Sequence, residues 1–254
     1  MSRIIKVMTF NLRTAVPADG VNSFWERKPR ILAVIEREDP DIIGFQEATD
    51  EMRLWAAENL PRYTVIGCGR GKDYRGESVA TAFKKDLFSL ISLDHYWMSP
   101  TPNVPGSRFP GDQSACPRIT SVVRLVVPDE TEPFNIYNTH LDHKGAGARY
   151  LGMMQNVQRI SQNPEKFVFT GDMNAKPGAP EVTLVTEALG YRGAVDCTEG
   201  LGNTFHGFKG GEGHSHIDYI FTDGRCESAY VVQDPGENGL YYSDHLAVCA
   251  YIEL

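Results

Sequence analysis

Short apolar runs that end in polar residues recur along the whole chain. Ile4 to Leu12, Asp41 to Glu47, Tyr63 to Gly67, Ser78 to Phe83, Ser89 to Met98, Ile119 to Val127 and Phe134 to Leu141 read as strands. So do Phe167 to Phe169, His216 to Thr222, Ser228 to Gln233 and Ala247 to Leu254. Helical spacing is rarer. Ser23-x-x-Glu26 has the form of a capping box ahead of an apolar face of Ile31, Leu32, Val34 and Ile35; Pro29 either delays or kinks that helix, and Asp39-Pro40 stops it. A second helix carries Met52, Leu54 and Trp55 and closes before Pro61. A third, Gly145 to Gln162, places Leu151, Met154, Val157 and Ile160 on one stripe, and a fourth runs from Glu181 to Leu189. Ser99 to Pro117, rich in Pro and Gly, reads as a surface loop whose length marks it as functional or mobile. Gly200 to His214 reads as a second loop, rich in Gly and His.

Strands outnumber helices by more than two to one, and the helices are spread along the chain. Two packed sheets with helices outside would bury such a set, an α/β (α+β) architecture. No break in composition divides the chain, so one domain over residues 1–254 is expected. Strand–helix–strand segments near residues 35 and 155 hint at a twofold architectural repeat.

Charge narrows the function. A net charge of −8, with no run of five or six Lys and Arg, argues against a protein that grips nucleic acid through its overall field. A small anionic substrate held through a metal ion stays compatible, because the ion brings its own positive centre. The cysteines, Cys68, Cys116, Cys197, Cys226 and Cys249, are odd in number and form no C-x-x-C pair, which favours a reducing compartment over a disulfide framework. Met1-Ser2-Arg3 leads directly into Ile4-Ile5, too short for a signal-peptide core, and no apolar stretch reaches eighteen residues. A cytoplasmic protein without a membrane span is expected.

The candidate chemistry sits where apolar runs stop. Asn11, Glu47, Asn138, His140, Asp142, Asp172, Asn174, Asp218, Asp244 and His245 all lie at or just past such ends. Singly each has a bland alternative: a turn-forming Asn11, a helix-start Glu47, a satisfied buried His140. Together they describe one polar rim of a sheet. Carboxylates and amides without thiolates suit Mg²⁺ or Mn²⁺, with Glu47 the first candidate ligand, Asp244 next and Asn11 nearby. Asp172 and Asn174, two apart on an extended strand end, would share one direction, Asp172 as general base on a water and Asn174 fixing its course. His140 and His245 would donate to phosphate oxygens, with Asp218 orienting His245. Arg118 is either a bidentate phosphate contact or an ordinary surface cation; with Asn138 and Trp97 it completes the candidate substrate contacts. His206, His214 and His216 have spacing that can chelate zinc, but a mobile loop fits them better. Gly67-Cys-Gly-Arg-Gly71 lacks the Lys-Ser/Thr ending of a phosphate-cradling loop and reads as a turn lining the site.

Six pieces in fixed order, Thr9-Phe10-Asn11, Gln46-Glu47, Asn138-Thr139-His140-Leu141, Gly171-Asp172-Met173-Asn174, Ile217-Asp218-Tyr219-Ile220 and Ser243-Asp244-His245, resemble the endonuclease/exonuclease/phosphatase superfamily. The resemblance implies a deoxyribonuclease I-like four-layer α/β sandwich, two mainly antiparallel sheets flanked by helices, and divalent-metal hydrolysis of a phosphoester. It places the metal glutamate on Glu47, the water-activating aspartate on Asp172 with Asn174 beside it, the phosphate histidines on His140 and His245, the orienting aspartate on Asp218 and the final metal-side aspartate on Asp244. Arg13 stands where the abasic-site members carry an acidic residue, which speaks against that specificity. Ala115-Cys116-Pro117-Arg118, with Trp97 and Thr204-Phe205, looks more like a bacterial branch. A phosphodiesterase acting on a small phosphoester or nucleic-acid fragment is the leading expectation. A phosphomonoesterase on a sugar, inositol or nucleotide phosphate comes second and a silent binding module last. No membrane and no obligate protein partner is implied.

Overall fold

The computed structural model describes residues 3–210, 214–234 and 236–254. Met1 and Ser2, and part of the Gly200 to His214 loop, lie outside them. The described residues form twelve strands in two six-stranded sheets. The first has the order β11-β12-β1-β2-β4-β3, from β1 (Ile4–Asn11), β2 (Ile42–Gln46), β3 (Tyr63–Ile66), β4 (Thr81–Lys84), β11 (Arg225–Val231) and β12 (Val248–Glu253). The second has the order β5-β6-β7-β8-β10-β9, from β5 (Ser89–Trp97), β6 (Ile119–Val126), β7 (Phe134–His140), β8 (Lys166–Asp172), β9 (Val195–Asp196) and β10 (Asp218–Thr222).

Each sheet holds one parallel pair, β1 with β2 and β7 with β8, and is otherwise antiparallel. A parallel pair needs a long crossover. Helices α1 (Phe24–Glu38) and α3 (Ala146–Gln162) supply the two crossovers, so the repeat hinted at near residues 35 and 155 is a pair of strand–helix–strand units, one per sheet. Helix α2 (Asp50–Asn59) joins α1 over the first sheet, where Phe24, Ile31, Ile35, Met52 and Trp55 pack on Met8, Phe10 and Phe45. Helix α4 (Pro180–Leu189) joins α3 over the second, where Met153, Val157, Val182 and Val185 meet Phe167, Phe169 and Phe221. The result is four layers. Among the described residues no helix is long and apolar enough to cross a membrane.

Two local expectations change. Ser23 does precede α1 as its N-cap, but its side chain makes no capping bond. On α3 the buried stripe is Ala148, Gly152, Met153, Asn156, Val157 and Ile160, while Leu151 and Met154 face outward. The polar Asn156 takes an inward place because Tyr96 and Thr120 donate to its Oδ1.

The space between the sheets positions the site. Alternate residues of a strand share a face. On β1, β2, β7, β8 and β10 these inward positions begin apolar, with Ile5, Val7, Ile42, Ile136, Val168 and Ile220 in one inter-sheet core. They turn neutral and polar at Thr9, Gln46, Asn138 and Thr170, all fully buried. They end at Asn11, His140, Asp172 and Asp218. Gly44 sits in the polar tier, where a Cβ would lie 2.4 Å from Thr170 Oγ1, so the sheets approach too closely for any side chain there.

Candidate active site

Strand register assembles one wall of the site. His140 on β7 and Asp218 on β10 both pair with Asp172 on β8, which sets three functional side chains in one row across the second sheet. The first sheet delivers Asn11 from the end of β1, and Glu47 follows directly on β2. Asn11 Nδ2 donates to Asp172 Oδ2 at 3.0 Å and to Glu47 Oε1 at 3.3 Å, tying the two sheets together at the rim. Three residues here hold a left-handed backbone, Arg13 at φ 55°, Glu47 at 59° and Asn174 at 49°. Such conformations cost energy for non-glycine residues and cluster at functional sites.

Asp172 Oδ2 is the hub. Besides Asn11, it lies 3.5 Å from His140 Nε2 and 3.8 Å from His245 Nε2, while Oδ1 accepts the Asn174 N–H at 2.8 Å. His245 Nδ1 is 2.9 Å from Asp218 Oδ2, which also accepts the Thr204 hydroxyl at 2.5 Å. Phe205 packs on the His245 ring with centroids 4.9 Å apart. Burial and the nearby Asp218 carboxylate push the Asp172 carboxyl up, against the pull of His245. Burial alone would discharge His245, but Asp218 and then Asp172 raise it to about 10. His140 goes the opposite way, lowered well below the usual histidine value by burial and by the Arg118 and Arg70 charges. The two histidines beside the Asp172 carboxyl are therefore pushed in opposite directions, His245 toward the charged form and His140 toward the neutral one.

Several expected roles shift. Asn174 lies beyond the end of β8, so strand alternation no longer aims its side chain; its Nδ2 donates to Leu141 O and its backbone holds Asp172. Asn11 turns its amide nitrogen to the Glu47 and Asp172 carboxylates because its Oδ1 accepts the Arg13 N–H, so it ties those carboxylates together rather than offering an oxygen. Asn138 is not a substrate contact: its Nδ2 donates to Phe45 O and Ala80 O and its Oδ1 accepts from Gln46, all across the inter-sheet space. Trp97 is also buried, its Nε1 donating to Arg70 O, so it supports the Gly67-to-Gly71 turn from beneath. Arg118 is no surface cation. It is 4 % exposed, with Nε 3.4 Å from Asp142 Oδ2 and Nη2 2.8 Å from His143 Nδ1. The Ser99-to-Pro117 loop is pinned, through Ser114 to Asp142 and through Asp112 to the first turn of α3. His216 contacts Thr198 and Leu201 while His206 packs on Tyr241, so these rings address different partners.

Residues with no expected role also matter. Arg27 is fully buried in α1 and donates to the carbonyls of Leu12, Arg13, Asn22 and Tyr242, which fixes the chain just after Asn11 and ahead of Asp244. Its spacing from Phe24 and Ile31, on the apolar stripe, is the sequence signal that would have found it.

The sequence model of the Endonuclease/Exonuclease/phosphatase family matches residues 8–245. The chain belongs to that family. It is 26 % identical to the Bacteroides vulgatus endonuclease/exonuclease/phosphatase, each chain covered to 99 %, with a TM-score of 0.91. It is 25 % identical to the Bacteroides thetaiotaomicron mannosyl-6-phosphatase, over 98 % of this chain and 99 % of that one, with a TM-score of 0.85. A curated relative, the uncharacterized protein L388 of Acanthamoeba polyphaga mimivirus, is 28 % identical over 159 residues; the chain spans 59 % of its length. Members of the family are phosphoesterase- and nuclease-type hydrolases, and the four-layer sandwich here is their deoxyribonuclease I-like fold. The chain is a hydrolase of this family.

Family enzymes typically use divalent metals, and the residues present can be tested for fit. Glu47, Asp172 and Asp244 gather hard oxygen donors at one rim. Burial pushes the Asp244 carboxyl up, with Glu47 adding to it and the His245, Arg13 and Arg27 charges opposing; Arg13 Nε is 3.8 Å away. Such a set of carboxylates fits a hard divalent cation. Asp172, Asp218 and His245 also place three ligand-type atoms within 4.8 Å of one another. There, however, His245 Nδ1 lies at hydrogen-bond distance, 2.9 Å, from Asp218 Oδ2, so that group reads as a histidine–carboxylate pair.

Proposed function

We propose that the protein hydrolyses a phosphoester with a divalent cation, Mg²⁺ or Mn²⁺, and that its substrate is a monoester of a small polyhydroxylated alcohol. The observation that carries the hydrolysis is Asp172 Oδ2, placed between Asn11 Nδ2, His140 Nε2 and His245 Nε2 within 3.0–3.8 Å. A carboxylate whose pKa burial moves toward neutrality suits proton removal from an attacking water at physiological pH. His245, kept charged by Asp218, donates from Nε2 to a phosphoryl oxygen as negative charge grows there. Neutral His140 donates to a second oxygen. Glu47 and Asp244 would hold the cation, which when bound supplies Lewis-acid polarisation of a phosphoryl oxygen and neutralises the leaving oxygen.

The sequence put a diester first. Two guanidinium groups close enough to depress His140, and the likeness to a protein named as a mannosyl-6-phosphatase, put the more highly charged monoester ahead. A panel of sugar phosphates, p-nitrophenyl phosphate and bis(p-nitrophenyl) phosphate, assayed with Mg²⁺, Mn²⁺ and EDTA, tests this. Monoester turnover abolished by EDTA is expected; turnover of the diester alone selects the other reading, and turnover untouched by EDTA removes the metal.

A further inference from the structure

Behind His140 the site continues into a recess lined by Glu47, Arg70, Glu77, Ser78, Arg118 and Ile119. Its volume is ≈ 10 Å³, room for a single water-sized occupant. Arg118 reaches this wall from the loop whose Ser114 is bound to Asp142. Two of its guanidinium nitrogens are used, Nε toward Asp142 and Nη2 on His143. The third, Nη1, is buried with no partner among the described residues. A buried charged donor left unpaired is costly and calls for an acceptor. Arg70 brings a second guanidinium to the same wall, its Nη2 2.8 Å from Glu77 Oε2, on the turn that Trp97 supports.

The geometry points to a one-oxygen pocket: the recess takes a terminal oxygen of a phosphate group, Arg118 Nη1 binds it, and Arg118 thereby selects phosphomonoesters over diesters. This rests on the phosphoester reading of the same site and adds what chooses among esters. A phosphomonoester has three terminal oxygens, so one can enter the recess while others face His140 and His245. A diester has only two, so the recess, His140 and His245 cannot all meet a terminal oxygen at once.

The test compares wild type with Arg118→Met, Arg118→Lys and Arg70→Gln in the presence of Mg²⁺. It reads the ratio of kcat/KM on p-nitrophenyl phosphate to that on bis(p-nitrophenyl) phosphate, together with the affinity for inorganic phosphate by titration calorimetry. Loss of one charged hydrogen bond predicts a ratio and a phosphate affinity ~10–100-fold lower in Arg118→Met, with part of the monoester rate restored by added guanidinium ion. Arg118→Lys, which keeps a cation beside Asp142, and Arg70→Gln should move the same way by less, and they carry the test if the methionine variant does not fold. A monoester-active wild type whose folded variants keep both ratio and phosphate affinity overturns this assignment alone. A wild type that cleaves only the diester overturns it together with the monoester reading. If neither ester is cleaved, equal phosphate affinities in wild type and variants overturn it.

Discussion

Five donors converge on the Asp142 carboxylate: the backbone N–H groups of Ser114, Lys144 and Gly145, the Ser114 hydroxyl and Arg118 Nε. Burial by itself would raise this carboxyl, but the Gly145 and Ser114 bonds outweigh it and hold it well below the usual range. A group depressed in the folded state contributes stability that is complete above its unfolded pKa, about 3.9, and is lost as pH falls toward the folded value. Asp142→Asn should therefore cost about 1–3 kcal/mol at neutral pH. The gap in urea midpoint between wild type and variant should shrink below about pH 4; a gap constant down to pH 2 would contradict the role. Residue types and their order at strand ends singled out Asp172, His140, Asp218, Glu47, Asp244 and His245 in the sequence as candidates, and the fold gathers them at one rim. The jobs of Asn11, Asn138 and Trp97 were not legible, because an amide or indole at a strand end looks alike whether it faces substrate or clamps two sheets. Only the partners, Glu47 and Asp172 for Asn11 and the Phe45 and Ala80 carbonyls for Asn138, decide.

At the scale of elements, the strands were easier to read than the helix faces. On α3 two registers of apolar residues compete, and the one that includes Leu151 and Met154 lost to the one that puts Gly152 against Met98. A Cβ on Gly152 would lie 2.8 Å from the Met98 sulfur, so close packing beneath α3 sets its rotation. The same helix has Gly145 as N-cap with no side chain to offer, and the cap comes from Asp112, whose oxygens accept the Gly147 and Ala148 N–H groups at 2.8 and 3.0 Å. A remote cap leaves no local trace in sequence. On α1 the decisive residue is Arg27, which replaces water for four carbonyls near the site. Removing it strands buried acceptors. Arg27→Met is expected to lower Tm by ~5–10 °C in thermal denaturation, from a loss of about 2–3 kcal/mol. Arg27→Lys should recover only part of that, since an ammonium cannot span the same fork. A methionine variant melting within a degree of wild type would show that the carbonyls find other donors.

Across the whole molecule, one gradient explains why the site lies where it does. The inter-sheet space passes from the Ile5, Val7, Ile136 and Val168 core, through the Thr9, Gln46, Asn138 and Thr170 tier, to Asp172 and its neighbours. The apolar end holds the sheets together, the amide tier fixes their spacing and register, and the rim spends that rigidity on aligning charges. Period-2 patterning made the sandwich predictable. The sequence alone could not show which strand ends face one another across it, since that follows from two crossovers and from the close approach at Gly44. The proposed hydrolysis at this rim runs through Asp172. The most direct measurement is kcat/KM of Asp172→Asn against wild type on the best ester, with Mg²⁺ saturating and Tm recorded. A fall of ~10²–10⁴-fold at an unchanged or higher Tm is predicted; a folded variant that keeps activity within tenfold of wild type (about 1.4 kcal/mol) would contradict it.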